Sequence, residues 1–191
     1  MPPKLILTGF MATGKTTVAR ALAQRLGWRL IDSDERLVAR MGKPVAQIFR
    51  DHGEEHFRAL EREVVAAIVG DRELCPRSGM PLPAVIATGG GTLIDPVNFA
   101  TLERVGVIVC LTARPEVIAR RVGRHAASRP MLTKGGKALP VRIAELLEER
   151  RAAYARAPIK IDTSEAGVTK VAEMVLDAFA KYGLGQWKVS A

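Results

Sequence analysis

One short segment near the N-terminus constrains the fold of this chain more than any other feature. Residues 9–16 read GFMATGKT and match the pattern GxxxxGK[ST] in full. The segment follows a short apolar run, residues 4–8, that predicts a buried strand. It leads into residues 16–26, whose apolar side chains recur at helical spacing. A strand, a glycine-containing loop and a helix in this order predict an α/β fold with the loop at the end of a strand.

The chemistry of this loop predicts that it binds phosphate. Its glycines let the backbone turn so that several N–H groups point inward at one anion, and the following helix adds the positive end of its dipole. Lys15 can reach the β- and γ-phosphates of a nucleotide, and the hydroxyl of Thr16 can ligate magnesium. The alternative is an ordinary strand-to-helix turn, which would not require a lysine and a threonine at these two positions.

The rest of the chain alternates short apolar runs with longer runs of helical spacing. The apolar runs predict further strands at residues 28–31, 84–87, 105–112 and 159–162. Helical spacing predicts helices at residues 34–40, 45–50, 54–69, 96–104, 115–122, 140–156 and 168–181. Strands separated by helices predict an α/β fold of three layers, in which a parallel sheet is covered by helices on both faces.

Two segments do not follow this alternation. Residues 123–138 are rich in arginine, glycine and lysine and poor in large apolar side chains, so we predict a mobile loop there. Residues 183–191 at the end of the chain are predicted to form a frayed tail. Residues 1–182 are therefore expected to form a single domain.

Composition and charge exclude several classes of protein. The chain has 191 residues, of which 48% are hydrophobic, and no apolar run is long enough to cross a membrane. The first apolar stretch is too short for a signal peptide, and two cysteines do not make a disulfide framework, so we expect a cytoplasmic protein. The net charge of +9 attracts anions, but aromatic residues are only 5% and no long Lys/Arg run exists. We therefore predict small anionic ligands and no nucleic-acid partner.

Two carboxylates follow the second predicted strand. Asp32 and Asp34 flank Ser33 at the carboxyl end of that strand, where ligands bind in open parallel sheets. One carboxylate could serve a metal and the other a substrate hydroxyl. Alternatively, Ser33 or Asp34 caps the helix that follows. The residues alone favour neither interpretation, and a cap can coexist with a functional role.

An arginine and a glutamate lie on one face of the predicted helix at residues 54–69. Arg58 and Glu61 are three residues apart, so their side chains can pair. The pattern alone favours a surface salt bridge of little consequence. The alternative is that Glu61 orients Arg58 as a fork for a substrate carboxylate.

A run of glycines and a group of arginines follow further along the chain. Thr88 is followed by three glycines, residues 89–91, at the end of the third strand, which suggests close approach of a ligand to the backbone. The arginines flank or lie within residues 123–138 or come later, at positions 120, 121, 124, 129, 150 and 151. Positive charge on a closing loop would assist phosphoryl transfer, although any one of these arginines alone is better explained as a solvated charge.

Taken together, these motifs resemble the shikimate kinase family. The phosphate-binding loop, DSD, GEEHFRALE, ATGGG, SRPML and RRAAY stand in the family's order and close to its spacing, over residues 4–163. The loop is generic, whereas its combination with the DSD, GEEHFRALE and ATGGG segments is specific. The resemblance implies a nucleoside-monophosphate-kinase-like fold with a five-stranded parallel sheet, a substrate-binding segment at residues 33–61 and a mobile lid at residues 123–138.

The resemblance also implies roles for matching residues. ATP would contact Ala12, Thr13, Gly14, Lys15, Thr16, Thr17, Arg121 and Arg129. Shikimate would contact Asp34, Arg58, Gly89, Gly90, Gly91 and Arg150. The implied cofactor, Mg²⁺, would lie at Thr16 and Asp32, and the implied catalytic residues are Lys15, Asp34 and the lid arginine Arg129. Arg121, or its neighbour Arg120, would stack near adenine.

Three departures from the family pattern stand out. Ala12 replaces a commoner glycine, residues 71–83 read as an insertion, and the segment after Asp162 lacks an arginine that some members carry near adenine.

The expected activity is transfer of the γ-phosphate of ATP to shikimate by a monomer. The alternatives are a related small-molecule kinase, such as one acting on gluconate, and a nucleotide-dependent module that binds nucleic acid.

Overall fold

The computed structural model describes residues 4–71, 82–123, 130–133 and 138–186. Within this part of the chain, five parallel strands form one sheet in the order β2-β3-β1-β4-β5. The strands are β1 (Lys4–Gly9), β2 (Arg29–Asp32), β3 (Ala84–Ala87), β4 (Gly106–Thr112) and β5 (Ile159–Asp162). All five predicted strands are therefore present, and the predicted parallel sheet is confirmed.

Helices connect the strands at every crossover. They are α1 (Lys15–Leu26), α2 (Ser33–Met41), α3 (Val45–Gly70), α4 (Pro96–Glu103), α5 (Pro115–Val122), α6 (Pro130–Thr133), α7 (Leu139–Glu149), α8 (Arg151–Ala155) and α9 (Val168–Gln186). A single turn of 3₁₀ helix, Thr92–Ile94, follows the glycine run. Among the described residues, no helix has the length and apolar character needed to span a membrane.

Both faces of the sheet are covered, as predicted. Ile6 of β1 packs into a cluster with side chains from α2 to α8, whereas Leu5 and Leu7 pack into a second cluster with α1 and α9. Alternation along β1 sends successive side chains to opposite faces, and all three are fully buried. The two clusters are the two halves of a three-layer core.

Three predicted segments differ from the structure. One helix was expected at residues 140–156, but α7 ends at Glu149 and α8 begins at Arg151, with Arg150 outside both. The last helix reaches Gln186, so the expected frayed tail is helical over its first residues, and residues 187–191 lie outside the described part. Of the expected lid, residues 130–133 form the short helix α6, whereas residues 124–129 and 134–137 are not described.

The predicted helices at residues 45–50 and 54–69 form one helical stretch, α3, with a break inside it. Gly53 has φ 79° and ψ 178°, a backbone conformation outside the helical region. Glycine adopts such angles at low steric cost, so the chain can change direction there without ending the helix. The part of α3 after this break carries Arg58 and Glu61.

The end of β1 fixes where the phosphate-binding loop begins. Gly9 has φ 130°, and a side chain there would collide with the backbone carbonyl of Leu111 on the neighbouring strand β4. Only glycine lets the chain leave the sheet at this point. Since β1, β2 and β3 are parallel, their carboxyl ends lie at the same edge of the sheet, beside this loop.

Candidate active site

A cavity of about 660 Å³ opens at this edge of the sheet. It lies between the phosphate-binding loop, α2, α3, the glycine run, α6 and the junction of α7 and α8. The predicted site residues that line it are Ala12, Gly14, Lys15, Thr16, Thr17, Asp34, Arg58, Gly89, Gly90, Gly91 and Arg150. Residues predicted from distant parts of the sequence are therefore brought to one place.

The phosphate-binding loop, residues 9–17, is held by bonds to its own backbone. Lys15 Nζ and Thr13 Oγ1 both donate to the carbonyl of Phe10, at 2.9 Å and 2.8 Å. Gly14 has φ 94° and stands at the N-cap of α1, and Ala12 has φ 60°. The side chain of Thr13 is buried inside the loop, so only its backbone is placed to contact a nucleotide.

Asp32 joins the loop to the second strand. Thr16 Oγ1 donates to Asp32 Oδ2 at 2.8 Å, while Asp32 Oδ1 accepts from the backbone N–H of Asp34 at 2.9 Å. The cap of α2 is therefore Asp32, and the alternative in which Ser33 or Asp34 caps this helix does not hold. Ser33 Oγ instead accepts from the N–H of Gly89 at 2.9 Å, and the side chain of Asp34 faces the cavity.

In the pair formed by Arg58 and Glu61 the glutamate is buried and the arginine is half-buried, contrary to the exposed surface pair that the sequence favoured. The Glu61 side chain is 3% exposed, and its Oε2 accepts from Arg58 Nη1 at 2.7 Å. Its other oxygen accepts from Thr92 Oγ1 at 2.6 Å, which ties α3 to the turn after the glycine run. Burial opposes the charge on Arg58, but Glu61 and then Glu54 outweigh it and raise the pKa of Arg58 above its ordinary value.

Each of the three glycines touches a part of the site. A Cβ atom on Gly89 would lie 2.8 Å from Asp34 Oδ1, and one on Gly91 would lie 2.6 Å from Arg58 Nη1. A Cβ atom on Gly90 would lie 3.3 Å from the backbone nitrogen of Met11 in the loop. The run therefore lacks side chains because functional groups pack directly on its backbone.

Arg150 reaches the same glycine run from the junction of α7 and α8. The residue is 5% exposed, and its Nη1 donates to the carbonyl of Gly90 at 3.3 Å. The guanidinium lies over the ring of Phe10, 5.3 Å from its centroid. Within the described part of the chain, no carboxylate forms a salt bridge with Arg150, so its buried positive charge faces a neutral carbonyl and an aromatic ring. We call Asp34, Arg58, residues 89–91 and Arg150 the acceptor wall.

Two predicted nucleotide contacts among the described residues, Thr13 and Arg121, do not line the cavity. Arg121 is exposed and donates to the side chain of Thr163 at 2.9 Å and to the carbonyl of Ala12 at 3.5 Å, so it lies beside the loop. Arg129, predicted as the lid arginine, lies outside the described residues. The roles of these two arginines stay predictions.

Sequence reasoning also missed residues of the site. Phe49 and Phe57 line the cavity with ring centroids 4.2 Å apart, and Thr92 and Tyr154 bond to Glu61 and to the Gly90 carbonyl from behind. The two phenylalanines stand in predicted helices at positions that also fit a core, so nothing local marks them as cavity residues. Tyr154 stands in the RRAAY segment, which signalled a site but no role for the tyrosine.

A phosphate-binding loop, a threonine–aspartate pair beside it and a buried cation across the cavity define a P-loop phosphotransferase. Comparison with known protein families identifies the family of this phosphotransferase. The model of the family described as shikimate kinase matches residues 11–180. The chain therefore belongs to the shikimate kinase family, as the sequence motifs indicated.

Individual relatives agree with this assignment. Shikimate kinase of Caldanaerobacter subterraneus subsp. tengcongensis is 42% identical, over 93% of this chain and 96% of its own. That of Geobacter metallireducens is 43% identical, over 87% of this chain and 86% of its own.

Solved structures match the fold as well. Shikimate kinase from Acinetobacter baumannii in complex with shikimate superposes with a TM-score of 0.84, at 29% identity and 96% coverage of both chains. A gluconokinase from Sinorhizobium meliloti superposes with a TM-score of 0.60 at 18% identity, over 100% of this chain and 98% of its own, which shows a shared fold and no more.

Proposed function

We propose that this chain transfers the γ-phosphate of ATP to the 3-hydroxyl of shikimate, a step of aromatic amino acid biosynthesis. One observation supports the choice of acceptor above all others. Arg58 packs on Gly91 and Arg150 bonds to Gly90, so two guanidinium groups from distant elements flank consecutive residues of one wall. A rigid ring acid offers a planar carboxylate to two such forks and its hydroxyls to Asp34.

The burial of Arg150 supports an anionic acceptor. Arg58 shares its charge with Glu61 and Glu54, but Arg150 forms no salt bridge with any carboxylate that the structure describes. Holding a cation in a buried position without a counter-charge is costly, and a substrate carboxylate would compensate that cost. The wall is therefore suited to bind an acid, whereas a neutral sugar would leave Arg150 uncompensated.

The phosphate-binding loop would hold the donor. Its inward N–H groups, the N-terminus of α1 and Lys15 together place positive charge around the β- and γ-phosphates. Lys15 donates to the carbonyl of Phe10 in the structure, so its ammonium group already lies across the loop where phosphates would bind. We propose that Arg121 contacts adenine and that Arg129, on a lid at residues 123–138, stabilises charge on the transferring group.

Magnesium fits the residues beside the loop. The proton of Thr16 Oγ1 points to Asp32 Oδ2, so the lone pairs of the hydroxyl oxygen are left for a cation. Thr16 would bind Mg²⁺ directly and Asp32 through water, because Mg²⁺ prefers oxygen ligands and keeps several of its waters. When bound, the ion would neutralise charge that develops on the phosphates.

Asp34 would act on the acceptor hydroxyl. Its carboxylate lines the cavity and lies next to Gly89, between the phosphate-binding loop and Arg58. From that position it can orient the 3-hydroxyl toward the γ-phosphate and accept its proton as the new P–O bond forms. Catalysis would then consist mainly of positioning and charge neutralisation, with little covalent chemistry left for the protein.

We propose a monomer whose residues 1–182 form one domain, working in the cytoplasm without a nucleic-acid partner. The net charge of +9 would serve to attract ATP and the acid.

The test is coupled ADP release across a panel of acceptors: shikimate, gluconate, other sugar acids and nucleoside monophosphates. We expect shikimate to be phosphorylated with the highest kcat/KM, because analogues that lack its hydroxyls leave polar groups of the site unpaired. A preference for gluconate or a nucleotide would contradict the proposal and leave the phosphotransferase assignment intact. Stimulation of ATP turnover by DNA or RNA alone would favour the nucleic-acid alternative.

A matched variant, Arg58→Lys, checks the basis of the proposal. Lysine keeps the positive charge but cannot form a fork, so KM for shikimate should rise about tenfold while KM for ATP stays nearly unchanged. An unchanged KM for shikimate would remove Arg58 from the acceptor site.

A further inference from the structure

Tyr154 lies behind the acceptor wall and has no part in the mechanism proposed above. It is 7% exposed, and its hydroxyl donates to the carbonyl of Gly90 at 2.5 Å. Burial, opposed by the charge of Arg150, raises the pKa of Tyr154 to about 12. The phenol therefore keeps its proton near neutral pH, and its hydroxyl stays a hydrogen-bond donor.

The carbonyl of Gly90 accepts from a second donor as well. Arg150 Nη1 bonds to the same oxygen at 3.3 Å, and Tyr154 and Arg150 are themselves joined by a backbone bond from the tyrosine N–H to the arginine carbonyl at 3.0 Å. A carbonyl oxygen has two lone pairs, so both donors can be accepted at once. The carbonyl oxygen of Gly90 thus fixes the position of the Arg150 guanidinium relative to the Tyr154 hydroxyl.

Fixing this carbonyl also fixes the peptide that carries it. A trans peptide is planar, so the N–H of Gly91 points to the side opposite the Gly90 carbonyl. Tyr154 lies on the carbonyl side, and both glycines line the cavity. Glycine has no side chain that restricts its backbone, so a run of three glycines keeps one orientation only if other groups hold it.

The same glycine connects the wall to the phosphate-binding loop. A Cβ atom on Gly90 would lie 3.3 Å from the nitrogen of Met11 and 3.4 Å from the carbonyl oxygen of Gly9, so the two backbones are in contact. The ring of Phe10, from the same loop, lies under Arg150. A rotation of the Gly90–Gly91 peptide would therefore disturb the position of Arg150.

We propose that Tyr154 is a positioning residue for the acceptor. Through the Gly90 carbonyl it holds the Gly90–Gly91 peptide and the guanidinium of Arg150 in the orientation that receives the acid. This inference rests on the proposed function, because it assigns Tyr154 to the same acceptor site. The simpler explanation, that Tyr154 only fills the core, requires the ring and not the hydroxyl.

Tyr154→Phe separates the two explanations because it removes only the hydroxyl. The ring still fills its place and the Gly90 carbonyl keeps Arg150 as a donor, so the fold should be retained, which urea unfolding checks. We expect KM for shikimate to rise about five- to tenfold, the effect of one lost hydrogen bond, with KM for ATP and kcat within about twofold. The control is Tyr182→Phe, since Tyr182 packs in the cluster on the opposite face of the sheet.

A second measurement does not depend on turnover. In protein labelled with ¹⁵N-glycine and without substrate, Tyr154→Phe should shift the amide resonance of Gly91, and Tyr182→Phe should leave it in place. The inference is overturned if wild type phosphorylates shikimate and Tyr154→Phe leaves its KM unchanged, or if KM for ATP rises equally. If wild type does not use shikimate, the proposed function fails first. The Gly91 resonance then decides: an unmoved signal overturns the inference and a shifted one supports it.

Discussion

The two halves of the cavity are built in different ways. The phosphate-binding loop is one continuous segment, and Lys15 and Thr13 hold it by bonding to the backbone of Phe10 within the same segment. The acceptor wall takes its groups from α2, α3, the glycine run and the junction of α7 and α8. Its contacts join side chains that are far apart in sequence, such as Arg150 and Gly90.

This difference shows how each half is specified. Local sequence specifies most of the loop, since glycines, one lysine and one threonine in order produce a backbone suited to nucleotide phosphates, and one distant contact, from Thr163 Oγ1 to the carbonyl of Thr13 at 3.2 Å, supports it. The wall depends on tertiary packing, which brings buried charges such as Glu61 and Arg150 to the glycine run. We therefore expect substitutions in the loop to act on phosphoryl transfer, and those in the wall to act on the acceptor with ATP binding preserved.

Lys15→Ala should have the largest effect and should disable the phosphate-binding loop. Loss of the ammonium group that neutralises the transferring phosphates should lower kcat on the order of 10³-fold or more. The circular dichroism spectrum should be unchanged, because the lysine bonds to one loop carbonyl and fills no core. Lys170→Ala, on α9, is the control. Near-normal turnover in folded Lys15→Ala protein would refute the assignment of the loop.

Asp34→Asn should have the second-largest effect, and that effect should be confined to the acceptor wall. Asparagine keeps the shape but cannot accept the proton, so kcat should fall on the order of 10² to 10³-fold while ATP binding is retained. The helix cap is not lost, because Asp32 provides it. Glu35→Gln, on the next residue of the same helix and exposed, should be nearly silent. If kcat/KM is unimpaired in Asp34→Asn, the carboxylate has no part in the chemistry.

The same contrast explains what the sequence could predict. The five strands and the loop follow from local patterns, and the structure confirms them. At residues 89–91 the structure shows close packing of protein groups on the glycine backbone, and the approach of a ligand there stays a prediction. The break at Arg150 does not, because the RRAAY segment contains no glycine or proline that would end a helix. Arg150 lies between two helices in the structure, with its side chain on the Gly90 carbonyl and on Phe10, both contacts with distant residues.

Burial was the other quantity that local patterns could not supply. A spacing of three residues predicts that Arg58 and Glu61 pair, but it is the same for an exposed pair and a buried one. Thr92, the second partner of Glu61, lies on another element, and its contact exists only once α3 packs against the glycine run. The positions of the acceptor residues were accordingly expected from the family resemblance and not from spacing.

Glu61→Gln tests whether the burial of Glu61 matters within the acceptor wall. The amide cannot replace the charge that holds Arg58, so KM for shikimate should rise about tenfold. The free energy of unfolding should fall by about 1–3 kcal/mol, because Arg58 loses its buried partner. Glu54→Gln is a matched control on the same arginine, since the side chain of Glu54 is 55% exposed whereas that of Glu61 is 3% exposed. Equal effects of the two substitutions on KM and on stability would mean that the burial of Glu61 does not strengthen its pairing with Arg58.

Ala12→Gly should have the smallest effect, and it tests whether backbone conformation alone specifies the loop. Ala12 has φ 60°, and in the described part of the chain it is the one residue other than glycine with positive φ. An L-residue in this region costs about 1 kcal/mol or more, and glycine would remove that cost. Glycine also gains freedom in the unfolded chain, which offsets about 0.4–1 kcal/mol of the benefit.

The net expectation for Ala12→Gly is a stability gain of up to about 1 kcal/mol, or a rise in Tm of about 2–4 °C at most, with KM for ATP within about twofold. Ala66→Gly should instead lower the Tm. Ala66 is exposed in the regular part of α3, where glycine should cost about 1 kcal/mol of stability. If both substitutions lower Tm equally, the left-handed conformation of Ala12 is not strained. The methyl group would then contribute packing that a glycine in the phosphate-binding loop lacks.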